Sequence, residues 1–164
     1  MSKRTGPIGI ELTRDEVWTL RDLAHFYERS MGPFRLIIRA TSRSEIRRRL
    51  RFVADESAVL SDFAEATHQE MVDGELDITA VPLTPRALVA FWGRVLASLN
   101  SRRSRRRLSE SQIEQREILS GKLADGVLLL ARRNRRQIEN EISTRRPIEG
   151  DWMREQLRLR GEDA

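Results

Sequence analysis

The stretch from Thr84 to Arg107 leaves this chain few ways to fold. Pro82-Leu83-Thr84-Pro85 opens a helix: Thr84 supplies a side-chain cap, and Pro85 takes the first helical position, where a missing N–H costs nothing. Leu88, Val89, Phe91, Trp92, Val95, Leu96 and Leu99 then recur at three- and four-residue steps, interrupted only by Arg86, Arg94 and Ser98. One broad face of this helix must be buried. Immediately afterwards Asn100-Ser101-Arg102-Arg103-Ser104-Arg105-Arg106-Arg107 places five arginines in six positions with no acid among them. Such a run repels itself and reads as a solvent-facing loop suited to an anion. The core ends where that charge begins.

The remaining elements follow from caps, stops and periodicity. Ile8 to Leu12 alternates like a short strand, and Thr13-Arg14-Asp15-Glu16 is a capping box. The helix it opens, predicted over 13–30, carries Val17, Trp18, Leu20, Leu23, Ala24 and Tyr27 and stops at Met31-Gly32-Pro33. Phe34 to Ala40 has strand period, and Ser44 starts a long helix over 44–72 with Ile46, Leu50, Val53, Leu60, Ala64 and Met71 on one seam. Asp73-Gly74 ends it. Leu76 to Val81 alternates as a third strand before the helix over 85–100. Ser109-Glu110-Ser111-Gln112 is a further capping box for a helix over 109 to about 142, in which Gly121 and Gly126 are the weak points. Pro147 breaks the pattern ahead of a short terminal helix.

An internal echo runs through this layout. Ile10-Glu11-Leu12-Thr13 followed by Val17 resembles Val81-Pro82-Leu83-Thr84 followed by Leu88, at a constant offset of 71. The expected class is mainly α (α+β), a helical domain with a small sheet of up to three short strands. Residues 1–146 read as one domain and 147–164 as a C-terminal helix and charged tail. Its predicted core holds Trp18, Leu50, Leu60, Phe91, Trp92, Leu123 and Leu130.

Hydrophobic residues at 39% and charged residues at 34% fit a soluble chain with a highly charged surface, since the apolar positions recur throughout. No run of apolar residues is long enough to span a membrane, and the start lacks a secretory pattern, so the expected location is the cytoplasm. The absence of cysteine removes disulfides, thiolate catalysis and cysteine-ligated metal sites. Charge is laid out in blocks. Residues 1–52 carry 12 basic and 6 acidic side chains, 53–85 carry eight acids and no Lys or Arg, and 86–136 carry 13 basic and 4 acidic ones. That segregation creates a polar surface field.

No phosphate-binding Gly-Lys-Ser/Thr loop, dinucleotide glycine fingerprint or Gly-x-Ser-x-Gly elbow occurs, so the chain reads as non-enzymatic, with no catalytic residue and no cofactor assigned. Asp22-x-x-His25 and Glu65-x-x-His68 each set a carboxylate and an imidazole at i and i+3, the spacing of helical carboxylate–histidine metal sites. A full site needs two further glutamates, so a helical metalloprotein is kept only as a second alternative.

The arginines carry the stronger signal. Arg47, Arg48, Arg49 and Arg51 form one set, Arg102, Arg103, Arg105, Arg106 and Arg107 a second, and Arg132, Arg133, Arg135 and Arg136 a third. Guanidinium forks onto phosphate, and several such contacts release condensed counterions. Gathered into one patch, the three sets would bind a DNA or RNA backbone, without base readout, because no helix-turn-helix, zinc finger or aromatic RNA-binding signature is present. Spacings such as Arg135 with Glu139, and Arg48 or Arg51 with Asp55, also allow salt-bridged helix faces. The alternative is an adaptor or assembly subunit that docks an acidic protein surface. The apolar seams of the two longest helices favour a homodimer, with the acidic 53–85 block available to a second copy.

Overall fold

The computed structural model describes the backbone of residues 6–30 and 43–162, and the side chains of residues 6–25 and 56–161. Within them the chain is mainly helical with a two-stranded antiparallel sheet. In order it forms β1 (Ile8–Thr13), α1 (Arg14–Ser30), α2 (Arg43–Asp73), β2 (Ile78–Leu83), α3 (Pro85–Asn100), α4 (Arg102–Arg105), α5 (Glu110–Arg133), α6 (Arg135–Ser143) and α7 (Pro147–Glu162). The strand expected at Phe34–Ala40 lies outside the described residues, as does the Leu50 side chain.

Capping decides where the helices begin. The Thr13 N–H donates to Glu16 Oε1 at 2.9 Å while the Glu16 N–H donates to Thr13 Oγ1 at 3.2 Å, and Lys122 Nζ reaches the same Glu16 oxygen at 2.6 Å. Thr84 Oγ1 accepts from the Ala87 N–H at 3.2 Å, with Pro85 in the first turn. Ser109 and Gln112 complete the box that opens α5, at 2.9 and 3.1 Å. Each box satisfies N–H groups that a helix start otherwise leaves without a partner. At the other end of α2, Glu75 adopts φ 54, and the Leu76 N–H closes the turn onto Met71 O at 2.8 Å.

The strands pair with Ile8 opposite Leu83, Ile10 opposite Val81 and Leu12 opposite Thr79. Ile10, Leu12, Val81 and Leu83 are buried on one face, while Gly9, Glu11, Ala80 and Pro82 lie exposed on the other. The offset of 71 in the sequence makes Val81 the counterpart of Ile10. Those two residues face each other, so a local two-fold relation passes through this pair. Each strand then runs into a threonine-capped helix.

Around the sheet, α3 is the centre of the core. Leu88, Phe91, Trp92 and Val95 are fully enclosed, and Trp92 Nε1 donates to Ser120 Oγ of α5 at 3.2 Å. Burying each such side chain contributes about 1.5–3 kcal/mol, which makes α3 a major contributor to the core. Leu60, Leu123 and Leu130 join it as expected. Gly126 admits the β-sheet to α5, since a Cβ there would stand 2.6 Å from Ile10 Cδ1 and 3.2 Å from Leu88 Cδ2.

Three expectations need correction. The helix over 109 to about 142 is two helices, broken at Asn134 and not at either glycine. Asn134 has φ −153, and its side chain accepts from the Gln137 N–H at 3.2 Å, so it ends α5 and caps α6. Trp18 is not in the core but 39% exposed. It lies two residues from buried Leu20, about 200° round the helix, and packs sideways against His68 of α2. The arginine run after Leu99 is not an open loop but contains the helical turn α4.

Candidate nucleic-acid interface

Serines at both ends shape the arginine run. The Ser101 N–H donates to Ala97 O at 3.0 Å, closing α3, while the Ser101 hydroxyl accepts from the Ser104 N–H at 3.5 Å to open α4. Arg105 and Arg106 donate their N–H groups to Ser101 O and Arg102 O, and Arg107 and Leu108 extend the coil to Ser109. The guanidinium groups therefore project from an ordered turn. Arg102, Arg103, Arg105, Arg106 and Arg107 are all exposed, and no ion pair to any of them forms among the described residues. Arg105 alone is engaged, donating from Nη1 to Leu99 O at 3.3 Å in the last turn of α3. The other four guanidinium groups meet no side-chain partner among the described residues.

The second described set brackets Asn134. Arg132 and Arg133 occupy the last turn of α5, where a helix end carries partial negative charge that favours cations. Arg135 and Arg136 sit in the first turn of α6, where the partial charge is positive, so this pair is held against local repulsion. All four are exposed and none forms an ion pair among the described residues. The pairing of Arg135 with Glu139 expected from their spacing does not form. Glu139 instead meets Arg154 of α7 at 3.6 Å.

These two sets do not share a patch. Trp92 lies beside Ser120 and Leu88 beside Gly126, so α3 and α5 run antiparallel and α4 stands at the start of α5. The other set flanks the end of α5, whose 24 residues span about 36 Å. Arg47, Arg48, Arg49 and Arg51 belong to the early turns of α2, and their side chains fall outside the described residues. Elsewhere on the surface, Asp62, Glu65, Glu70, Asp73, Glu75 and Asp77 are exposed along late α2 and the turn after it.

A separate buried cluster has no counterpart among the sequence-based expectations. Arg145, after α6, donates from Nη1 to Glu56 Oε1 at 2.6 Å and from Nη2 to Oε2 at 2.8 Å. Arg94 adds a contact to Glu56 Oε1 at 3.1 Å and reaches Ser57 Oγ and Ala90 O. Burial alone would raise the Glu56 pKa, but the hydrogen bond and charge of Arg145, and then those of Arg94, outweigh it and hold the carboxyl below its ordinary value. Arg94 is the signal the sequence offers: a charge in the middle of an apolar helix face requires an acid partner from elsewhere.

The carboxylate–histidine spacings serve other contacts. Glu65 meets Arg21 at 3.8 Å, the Arg21 guanidinium lies 4.4 Å from the Trp18 ring centroid, and His68 packs tilted against the same ring, centroids 4.7 Å apart. Asp22 acts on Arg116 of α5, whose pKa is lowered by burial against the opposing pull of that carboxylate. No group of three or more His, Asp or Glu side chains able to hold a metal occurs among the described residues. Nor is any helix among them long and apolar enough to cross a membrane. Comparison with protein-family models, with curated proteins and with solved structures finds no match to this chain.

Proposed function

We propose that the protein is a non-enzymatic accessory that binds the phosphate backbone of DNA or RNA through the arginines of α4 and of the two positions after it, Arg106 and Arg107, in the cytoplasm. One observation carries the reading: an ordered turn presents exposed guanidinium groups with no acid among the described residues to neutralise them. Several other exposed arginines do meet carboxylates, as at Arg158 with Glu155 and Arg160 with Asp125. A surface field of this kind attracts a polyanion and gives affinity that is largely independent of sequence.

Fluorescence anisotropy against salt concentration tests the reading. Wild-type protein should bind labelled DNA or RNA with an affinity that falls linearly on a log–log plot against salt. Replacing Arg102, Arg103, Arg105, Arg106 and Arg107 by Gln should weaken binding and flatten that slope by about 0.9 for each phosphate no longer neutralised. Equal affinity in the five-Gln variant, or no salt-sensitive affinity in the wild type, removes the reading. The adaptor reading has its own support in the exposed acids of late α2, which could receive the α4 turn of a second copy. Light scattering separates the two: assembly that dissolves at high salt without nucleic acid supports the adaptor.

A further inference from the structure

We infer that the protein joins two nucleic-acid segments, one at each end of α5, instead of gripping one segment with a single patch. The inference rests on the reading that these arginines bind phosphate, and it adds what their placement implies. The α4 set stands at the start of α5 and the Arg132–Arg136 set at its end, about 36 Å apart by the rise of a 24-residue helix. Screening at physiological salt acts over about 8 Å, so neither end feels the charge of the other through solvent. Each is a separate site.

The surface between them discourages a continuous path. Glu114, Glu117 and Asp125 are exposed along α5, and Asp125 is engaged by Arg160 of α7 at 2.8 Å. A polyanion laid along the helix would leave one cationic end, pass these carboxylates and then reach the other. Wrapping a duplex, stiff over about 150 base pairs, round so small a body costs several kcal/mol, and one lying straight beside α5 would set its phosphates against these carboxylates. Two separate duplexes can each dock end-on. Both ends are suited to this, with exposed guanidinium groups and no ion pair among the described residues. Arg132 and Arg133 lie at a helix terminus and Arg135 and Arg136 directly follow the Asn134 break, so all four cluster at the junction of α5 and α6.

A capture assay tests this with the full chain. A short biotinylated duplex DNA is fixed to beads, protein is added, and retention of a second, fluorescent duplex is measured at moderate salt. Wild-type protein should bind the beads and capture the second duplex. The R132Q/R133Q/R135Q/R136Q variant should still bind the beads through α4 yet lose capture by at least about tenfold, since one of two sites is gone. The five-Gln α4 variant should lose capture as well, with circular dichroism and urea unfolding confirming that both variants keep the fold. Wild-type protein that binds the beads without capturing label overturns the bridge while leaving backbone binding intact. Capture by the four-Gln variant at the wild-type level also overturns it, because a dimer joined elsewhere would then be the bridge. Failure of the wild type to bind the beads at all overturns both the bridge and the reading beneath it.

Discussion

Arg94 and Arg145 are chemically the same as Arg102 and Arg106, yet the two pairs live in opposite settings. The side chains of Arg94 and Arg145 are 2% and 6% exposed and converge on one carboxylate, Glu56. Those of Arg102 and Arg106 face solvent and form no ion pair among the described residues. Residue type decides neither outcome. A guanidinium can enter the interior only with an acid and further acceptors to meet its N–H groups, because desolvating it costs several kcal/mol. Arg94 finds Glu56, Ser57 and the Ala90 carbonyl; the α4 run comes after the last apolar position of α3 and is never asked to desolvate. Buried arginine in this protein joins α2, α3 and the α6–α7 junction, and exposed arginine supplies a surface field.

The largest effect that could break this contrast is at Glu56. Glu56→Ala leaves two buried guanidinium groups side by side, and urea denaturation should show a loss of about 3–5 kcal/mol. A loss under about 1 kcal/mol would mean that water already screens the cluster, and the two arginine settings would then differ little. A smaller effect appears on acidification. Because the folded Glu56 carboxyl titrates below its ordinary 4.5, the unfolded chain takes up this proton first. The contribution is therefore complete above the ordinary value and is lost as pH falls through the lowered folded one. Stability measured against pH should decline more steeply on the acid side in the wild type than in Glu56→Gln, and parallel curves would exclude the linkage.

The smallest effect compares arginine with lysine at the two settings. Arg145→Lys can keep only one of the two parallel bonds to Glu56 and should cost about 1–2 kcal/mol. Lysine at Arg102, Arg103, Arg105, Arg106 and Arg107 should change stability by less than about 0.5 kcal/mol and keep salt-dependent DNA affinity within a few-fold, since phosphate attraction there needs charge more than a fork. If the five-Lys variant is the less stable of the two, the α4 turn belongs to the packed structure after all.

The sequence made some of this legible and hid the rest for physical reasons. Thr13, Thr84 and Ser109 are local signals, each capping a donor within three residues, and the helices begin where they indicate. Strand alternation is equally local, as at Ile10 and Leu12. The break at Asn134 escapes a reading by pattern because an asparagine can serve as cap or pass as a helical residue, whereas Gly121 and Gly126 look weaker than they are. Gly126 is there for close approach to Ile10, which only the packed structure shows. Trp18 misleads because its size suggests burial that its angular position denies. The meeting of Glu56 with Arg145, 89 residues away, has no local trace at all. The arginine sets are visible in composition, but their division between two ends of α5 depends on how α3 and α5 pack.

The pairing of Ile10 with Val81 also sets an order of events as the chain is made. Residues 14–77 separate the two strands, so the sheet joins distant parts of the sequence and its closure must await the synthesis of β2. Until then Ile10 and Leu12 have no strand to lie against, although α1 and α2 are already complete and can pair as a helical hairpin. Ile10 waits longer still for Gly126, which emerges after α3 and most of α5. The first strand of the protein is thus among the last to be enclosed, and a nascent chain arrested before Ile78 would keep its N-terminal apolar residues open to protease.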